Sequence, residues 1–322
     1  MKDLERFLEE CDNSPRLNEM ANFFKSTAAG ISGQPVVLPF ADRRLLRCDD
    51  LMDQIIDLHA RRQGQFDKHY HSSIPYRLEE ECRMAYAILK FARGKLAETK
   101  LYSLGTAEGT MARTLSELSG GKIQSLSCSP NEENRKSFLA YGVPPHAEFF
   151  VGAFHRLSKE YMCYDERLQR FSDGFDFVLE DTTFQMYSAN RQMQIEFVAQ
   201  NLKPEGIFLF VEKFRAPSDE EYQAREFQKD FGFKARFFPS DAIKRKAGEV
   251  LVRMHQNEVT LRDMAKAVYS QFRYCVVTWN SGNFYGLAAS NHSENLERYL
   301  SHLVEPAIPK EYTYAPVAFT AL

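Results

Sequence analysis

The stretch Leu101-Tyr-Ser-Leu-Gly-Thr-Ala-Glu-Gly-Thr-Met111 decides the fold, because it joins an apolar run to a helical pattern through a turn that contains two glycines. The apolar run over 100–104 predicts a strand, and the spacing over 109–118 predicts a helix. Gly105 permits a tight turn, and Gly109 lets the start of the helix pack close to the strand. The free N–H groups at such a helix start favour a polar ligand. A glycine pair alone is a weak signal, so its weight depends on the elements that follow.

Those elements form an alternating series. Apolar runs predict four more strands, and helical patterns separate several of them. Strands spaced by helices of about 10–15 residues predict right-handed β-α-β units in a parallel sheet covered on both faces. Two late runs flank the short turn Asn280-Ser-Gly282, which predicts an antiparallel hairpin at the sheet edge. The predicted strands after the first are 122–126, 147–151, 175–180, 206–211, 272–279 and 283–289, and the predicted helices between them are 131–141 and 191–202.

The fold class is therefore α/β: a Rossmann-like, doubly wound, mostly parallel seven-stranded sheet with an antiparallel terminal hairpin and an N-terminal helical extension. Apolar residues at helical spacing over 51–58 predict one helix of that extension. A second helix is predicted over 77–93, directly after Ile74-Pro75, since proline restricts the residue before it. The predicted divisions are a helical extension (1–75), a main domain (76–290) with a helical insertion (215–271), and a C-terminal helix and tail (291–322).

Composition excludes several classes of protein. Hydrophobic residues make up 44% of the 322 residues, which is enough for a substantial core. The 41 Lys and Arg against 44 Asp and Glu give a net charge of −3, which argues against a broad polybasic nucleic-acid surface. The longest apolar runs fall well short of the roughly 20 residues of a membrane span. The first residues lack the apolar core of a secretory signal, so we expect a cytoplasmic protein without membrane contact.

Cysteine and histidine spacing predicts no metal centre. The six cysteines lie far apart without a C-x-x-C pair, which is typical of reduced thiols. His69 and His71 would share a face of a strand, but no third ligand lies nearby, and we predict a polar loop there. The absence of a G-x-S-x-G elbow and of a phosphate-binding G-x-x-x-x-G-K-[ST] loop argues against hydrolases and nucleoside triphosphatases.

The order of these elements resembles the class I S-adenosylmethionine-dependent methyltransferases and, more closely, the carboxy-S-adenosylmethionine synthases of wobble-uridine tRNA modification. The resemblance covers roughly 74–290. It implies S-adenosylmethionine as the cofactor and a group transfer to an unknown substrate, either a small molecule or tRNA. The segments that carry it are Ile74-Pro-Tyr76, the turn over 101–112, Ser129-Pro130, Thr182-Thr-Phe-Gln185, Leu202-Lys-Pro-Glu-Gly206, Val211-Glu-Lys-Phe214 and Asn283-Phe-Tyr-Gly286.

The resemblance also identifies departures at the cofactor site. The family usually holds the methionine amino group, the ribose hydroxyls and the adenine with three acids, and the matching residues here are Ser103, Ser127 and Ala153. Each lost charge-assisted bond removes on the order of 1–3 kcal/mol of binding. Glu108 and Glu180 are candidates to supply negative charge instead. The cofactor contacts implied by the resemblance are Tyr76, Ser103, Gly105, Thr106, Glu108, Gly109, Ser127, Cys128, Ala153, Phe154 and Glu180.

Asp181 is one of two candidate catalytic residues. The fourth strand of this architecture ends facing the reacting group, where a carboxylate orients an amine or hydroxyl or removes its proton. The alternative is that Glu180-Asp181 caps the following helix together with Thr182 and Thr183.

Arg245 is the other candidate, because it matches the arginine that grips the extra carboxylate in the synthases, and a guanidinium fork suits a carboxylate. One alternative is a solvated basic helix face formed with Lys244 and Lys246, and another is that these three residues together touch phosphate. Tyr76 likewise either covers the cofactor or is a core aromatic.

Three functions stay open at this point. The first is methyl transfer to an unknown substrate. The second is a non-catalytic interaction or structural module with a degraded cofactor site, which the missing acids motivate. The third is a carboxy-S-adenosylmethionine synthase-like activity, which needs Arg245 to face the sulfonium. The sequence is also compatible with a homo-oligomer and does not specify one.

Overall fold

A computed structural model describes residues 2–142, 145–315 and 319–322. Its centre is an eight-stranded sheet in the order β3-β2-β1-β4-β5-β7-β6-β8. The strands are β1 (Thr99–Leu104), β2 (Ile123–Ser129), β3 (Ala147–Val151), β4 (Phe175–Asp181), β5 (Leu202–Lys213), β6 (Tyr274–Ser281), β7 (Phe284–Ser290) and β8 (Thr320–Ala321).

The predicted doubly wound sheet is confirmed, with one correction to the strand count. Strands β1 to β5 pair parallel with one another, and β7 pairs antiparallel with both β5 and β6. The eighth strand, Thr320–Ala321, pairs with β6 at Val276 and Val277. A two-residue strand is too short to produce an alternating pattern, so the sequence contains no signal for it.

Helices cover both faces of the sheet. The helix predicted over 77–93 has these bounds in the structure, and that predicted over 191–202 ends three residues earlier because Leu202 already pairs with Phe175 on β4. The helices are α1 (Lys2–Asp12), α2 (Ala21–Ala28), α3 (Asp50–Arg62), α4 (Gln65–His71), α5 (Arg77–Arg93), α6 (Thr110–Leu118), α7 (Glu132–Ala140), α8 (Lys159–Tyr164), α9 (Arg191–Ala199), α10 (Asp219–Phe227), α11 (Ser240–Lys246), α12 (Val252–Gln256), α13 (Leu261–Tyr269) and α14 (Ser293–His302).

The core lies in two layers, one on each face of the sheet. Side chains alternate along β5, so Phe208 and Phe210 belong to one apolar cluster while Ile207, Leu209 and Val211 belong to the other. The first cluster includes residues of α1, α2 and α9, and the second includes much of α3 and α5. Among the residues described, no helix is both long and apolar enough to cross a membrane.

Candidate functional site

The glycine turn after β1 is closely packed from two sides. Gly105 and Gly109 both have positive φ, at 67° and 62°. A Cβ atom on Gly105 would lie 1.8 Å from the hydroxyl oxygen of Thr183, and one on Gly109 would lie 2.4 Å from that of Ser127. Both positions therefore require glycine for conformation and for space, as the sequence predicted.

A cavity lies over the carboxyl ends of β1 and β4, where parallel α/β sheets bind their ligands. Ser103, Gly105 and Thr106 line it from β1 and its turn, and Asp181 and Thr182 line it from β4. Side chains of α2, α4 and the insertion after β5 complete the walls. Gly109 also lines the cavity. The cavity therefore contains four of the predicted cofactor contacts and the predicted catalytic residue Asp181.

Asp181 is held by two partners inside this cavity. One of its carboxylate oxygens accepts a bond from Arg77, whose Nη2 lies 2.5 Å away, and the other accepts from the Tyr70 hydroxyl. Burial raises the pKa of Asp181, and the positive charge of Arg77 opposes that rise. Arg77 is fully buried and also lies 3.3 Å from Glu81. The arrangement fixes the position of the Asp181 carboxylate and places a guanidinium beside it.

Thr182 is in a strained backbone conformation next to Asp181. Its φ is 50°, a left-handed value that β-branched residues rarely adopt. Its backbone N–H donates to the Val211 carbonyl at 2.7 Å, and its hydroxyl bonds to the Tyr70 hydroxyl at 3.2 Å. Strain of this kind is concentrated at ligand sites, which supports a functional role for this end of β4.

The two acids that end β4 have different roles. Glu180 accepts bonds from the backbone N–H groups of Thr183 (2.5 Å) and Phe184 (3.0 Å), so it is Glu180 that caps the following turn. Its side chain is fully buried away from the cavity, and burial together with the neighbouring Glu212 raises its pKa. Of the alternatives drawn from the sequence, capping thus describes Glu180, while Asp181 faces the cavity.

The Glu108 carboxylate also accepts hydrogen bonds that have a structural role. Its two carboxylate oxygens accept from the N–H groups of Phe66 and Asp67, each at 2.9 Å, so it caps the start of α4. It is completely buried, and burial and the adjacent Asp67 raise its pKa. The expectation that Glu108 compensates for the missing cofactor acids is therefore corrected, because its bonds are committed to the N-terminal extension.

The carboxyl ends of β2 and β3 are covered by the N-terminal extension. Cys128, Ala153 and Phe154 lie in one buried apolar cluster with Met20 and Phe24 of the α2 region. None of these three predicted contacts lines the cavity, whereas Phe24 does. Ser127 is also outside it, and its fully buried hydroxyl has no hydrogen-bond partner among the described residues.

Polar contacts hold this cover in place. The ring of Phe24 stacks on Phe66 at 5.5 Å between centroids, and the Arg16 guanidinium lies 3.9 Å from the Phe24 centroid. The side-chain amide of Asn131, just after β2, donates to the Phe24 carbonyl at 3.1 Å. Asp12, at the end of α1, accepts from His155 at 2.8 Å just after β3.

Tyr76 and Arg245 lie outside the cavity. Tyr76 packs against Phe233 and Tyr312, at 5.6 and 5.4 Å between ring centroids, as an aromatic of a small separate cluster. The Arg245 side chain is 62% exposed and pairs with Asp241 one helical turn away at 3.3 Å. Arg245 therefore occupies the solvated helix face that the sequence offered as the alternative to a carboxylate contact.

The histidine pair lies in helix α4, which corrects the predicted polar loop. His69 lines the cavity, whereas His71 turns to Glu81 at 3.1 Å and Gln63 at 3.1 Å. The two rings do not converge, and within the described ranges no group of three or more His, Cys, Asp and Glu side chains could hold a metal ion.

Sequence reasoning missed a set of basic and phenolic residues on the cavity wall. Tyr70, which bonds Asp181, comes from the extension 111 positions away in the chain. The lysines come from β5 and the insertion, whose residues are scattered over more than thirty positions. Lys213 stood in the segment Val211-Glu-Lys-Phe214, and Lys246 was named only together with Lys244 and Arg245, without a place in the cavity. The missed lining residues are Tyr70, Lys213, Lys229, Lys234 and Lys246.

Comparisons with known proteins find similarity only at the level of structure. No protein-family model matches the sequence, and no curated protein matches it. The plantazolicin methyltransferase BpumL, solved with S-adenosylhomocysteine (SAH) and a monoazolic desmethylPZN analogue, is 12% identical, with a TM-score of 0.49 over 76% of this chain and 100% of that chain. A probable spermidine synthase from Corynebacterium glutamicum is 14% identical, with a TM-score of 0.40 over 71% of this chain and 72% of that chain. A putative O-methyltransferase from Nostoc punctiforme is 11% identical, with a TM-score of 0.40 over 89% and 71% of the two chains. The fold assignment therefore rests on the sheet order described above.

Proposed function

We propose that this chain binds S-adenosylmethionine over the carboxyl ends of β1 and β4 and transfers its methyl group to a substrate held beneath the insertion. The observation that carries the proposal is the cavity that joins the Gly105 turn to Asp181. It combines a strand-to-helix turn that only glycine fits with a buried, oriented carboxylate at the end of β4. The division into an extension, a main domain and a C-terminal tail belongs to the same proposal.

The residues present fit one half of the cofactor. Ser103 and the N–H groups around Gly105 provide small polar walls for the amino-acid end, and Asp181 provides negative charge for a cationic centre. The nucleoside end is different, because Cys128, Ala153 and Phe154 belong to a buried apolar cluster that also contains Met20 and Phe24. Phe24 borders the cavity, and the unpartnered Ser127 hydroxyl lies at the strand end where, by the resemblance, the family holds the ribose.

S-adenosylmethionine supplies an electrophilic methyl group when it is bound. The role of the chain is then alignment and electrostatics, which dominate an in-line displacement. Asp181 already accepts bonds from Arg77 and Tyr70, so its charge is partly neutralised. We infer that Asp181 and the Tyr70 hydroxyl orient the acceptor, and that the raised pKa of Asp181 makes it a better proton acceptor than a solvated carboxylate, although Arg77 limits the rise.

Direct ligand binding tests this function. Mass spectrometry of the purified protein is expected to detect S-adenosylmethionine or SAH, and either ligand is expected to raise the melting temperature. A ligand at 100 times its Kd stabilises the folded state by about 2.7 kcal/mol. Thr106→Trp, which places a bulky ring on the cavity wall, should abolish the shift. Lys136→Trp, at a 63% exposed position on α7, should leave it unchanged.

A second candidate function is a non-catalytic interaction module, which the apolar cover over β2 and β3 favours. The same experiment separates the two functions. If neither S-adenosylmethionine nor SAH shifts the melting temperature at millimolar concentration, methyl transfer is excluded and the module is favoured. The synthase alternative loses its main support, because Arg245 lies on the exposed face of α11.

A further inference from the structure

Four lysines converge on the wall of the cavity formed by β5 and the insertion. Lys213 ends β5, Lys229 and Lys234 lie in and just after a π-helical turn over Gln228–Phe233, and Lys246 ends α11. The first three are almost fully buried, with at most 5% of each residue exposed. Lysine is seldom buried without a partner, so the partners of these four ammonium groups are informative.

Three carboxylates form ion pairs with Lys213, Lys229 and Lys234. The Lys213 ammonium lies 3.0 Å from both Glu226 and Glu258. Asp230 lies 3.4 Å from Lys229 and 2.9 Å from Lys234, so these two lysines share it, and Lys229 also contacts Glu226. These three acids complete the anionic partners of the lysine group among the described residues.

Lys246 has only neutral partners. Its ammonium contacts Nε2 of His69 and lies 3.1 Å from the Ser73 hydroxyl. His69 places its Nδ1 2.5 Å from the Gly33 carbonyl, which requires the proton on Nδ1 and leaves Nε2 as an acceptor towards Lys246. Burial and the charge of Lys246 also hold the pKa of His69 well below its usual range, so this imidazole is uncharged.

The other acids of the cavity are engaged elsewhere. Asp181 and Glu81 contact Arg77, and Asp67 accepts from the Thr110 hydroxyl. The wall around Lys246 thus carries four lysine side chains against three carboxylates, so Lys246 has no anionic partner among the described residues. An anion is the ligand that such an arrangement stabilises.

An access route leads to this wall. A second, outer groove of about 800 Å³ shares Phe23, His69, Lys234, Lys246 and Val250 with the cavity, so these five side chains separate the two spaces. The groove is also lined by three basic residues, Lys25, Arg245 and Arg253, and by three acidic residues, Glu19, Glu133 and Glu249. Arg245 belongs to the groove and not to the cavity.

We propose that Lys246 and Lys234, with the Ser73 hydroxyl, form an oxyanion subsite, and that the substrate of this chain carries a carboxylate or phosphate group that enters through the outer groove. The subsite would define the class of substrate in the proposed methyl transfer, and its role as a substrate site depends on that proposed function. Its occupancy by an anion does not depend on S-adenosylmethionine. Lysine suits both groups, because an ammonium acts as a point charge without the planar preference of a guanidinium.

Anion binding at this subsite is linked to proton uptake. Burial, together with the charges of Lys234, Lys229 and Lys213, lowers the pKa of Lys246 well below its usual range, and Asp230 opposes this shift. Burial and Lys229 lower the pKa of Lys234 to about 8, again against Asp230. A bound anion favours the charged ammonium and raises both pKa values, so binding takes up protons. Affinity should consequently fall as the pH rises.

Isothermal titration calorimetry of the full chain with inorganic phosphate and, separately, with benzoate tests the subsite. Wild-type protein should bind at least one of the two probes, and comparison of buffers with different ionisation enthalpies should show net proton uptake. The probe that binds more tightly distinguishes a phosphate-bearing from a carboxylate-bearing substrate. Lys246→Met should weaken binding by about tenfold or more. Lys266→Met, at a 65% exposed position on α13, should have no effect.

Two further variants keep the test decisive if Lys246→Met fails to fold. Lys246→Arg keeps the charge and should retain binding, whereas Lys234→Met should weaken it. Unchanged affinity in both methionine variants, or no binding of either probe to wild-type protein at millimolar concentration, would overturn the subsite. Because these titrations contain no S-adenosylmethionine, failure of the subsite is distinguishable from failure of methyl transfer, which the thermal shifts report separately.

Discussion

The carboxyl edge of the sheet differs in polarity between the β2–β3 end and the β4–β5 end. Over β2 and β3, the α2 region covers the strand ends with an apolar cluster that contains Met20 and Phe24. Over β4 and β5, the cavity wall carries ionisable groups, from the Arg77–Asp181 pair to the lysines of the insertion, beside apolar side chains such as Met254 and Phe284. The first end has no open space at its predicted contacts, and the second keeps a cavity.

This difference indicates which half of the site is specified for a ligand. Apolar side chains can fill space without a partner, so the β2–β3 end is stable as it stands. Buried charges need partners, and at the β4–β5 end Lys246 has no carboxylate partner among the described residues. The β4–β5 end is therefore better suited to bind an acceptor substrate than the β2–β3 end is to bind a nucleoside. The following variants test both ends.

The largest effect is expected for Arg77→Met, which removes the cation from the ionisable end. Asp181 and Glu81 would remain buried without their shared partner, and breaking a buried ion pair in this way costs about 3–5 kcal/mol of unfolding free energy. Urea unfolding followed by circular dichroism measures the loss. Arg44→Met provides the control, because Arg44 is 88% exposed beside Asp42, and no measurable change is expected. Equal losses in both variants would show that the buried network is not what stabilises this end.

Phe24→Ala tests the apolar end. Phe24 is 5% exposed, and truncation of a buried phenylalanine costs about 3–5 kcal/mol. Because Phe24 also lines the cavity, the variant enlarges the cavity beside this cluster, so the melting-temperature shift given by S-adenosylmethionine should exceed that of wild-type protein. Phe40→Ala, at a residue that is 74% exposed, should change neither quantity. A destabilised variant with no gain in the shift would show that α2 is not what limits access of the nucleoside.

A smaller effect concerns the pH dependence of stability at the β4–β5 end. Burial raises the pKa of Glu212 from 4.5 to about 7, with Glu258 adding to the rise and Arg191 opposing it. Between pH 4.5 and about 7, the Glu212 carboxyl is protonated in the folded state and deprotonated in the unfolded state. Its stabilising contribution is therefore full below about pH 4.5 and is lost as the pH rises through about 7, at roughly 1.4 kcal/mol per pH unit. In Glu212→Gln the free energy of unfolding, measured by urea at several pH values, should fall less over this range. A slope equal to that of wild-type protein would assign the loss to other groups.

Much of the fold could be predicted because its signals are local. The strand that ends at Leu104, the positive-φ glycines and the helix over 77–93 each follow from neighbouring residues. The cavity wall could not be predicted, because Tyr70 and Lys246 reach it from segments more than a hundred residues from Asp181 or Ser73 in the chain. A short-range sequence pattern does not predict contacts between residues that are so far apart in the chain.

The covered nucleoside end escaped prediction for a related reason. The resemblance identified Ser127, Cys128 and Ala153 by position along the strands, and those positions are where they were expected. What the sequence did not reveal is that Cys128 and Ala153 share a buried apolar cluster with Phe24, since the pattern of an amphipathic helix does not specify the surface that it will cover.

The smallest effect is expected for Arg245→Ala, and it separates the two interpretations of the outer groove. An exposed pair one helical turn apart, like that of Arg245 and Asp241, contributes roughly 0.3–0.5 kcal/mol, so stability should hardly change. If Arg245 only attracts anions along the groove, the association rate for phosphate or benzoate should fall while the dissociation rate stays constant, and the effect should shrink as salt is added. A faster dissociation rate that persists in high salt would instead mean that Arg245 contacts the bound anion directly. That result would move the anion from the Lys246 wall to the exposed face of α11 and restore the carboxylate-gripping role that the resemblance implied.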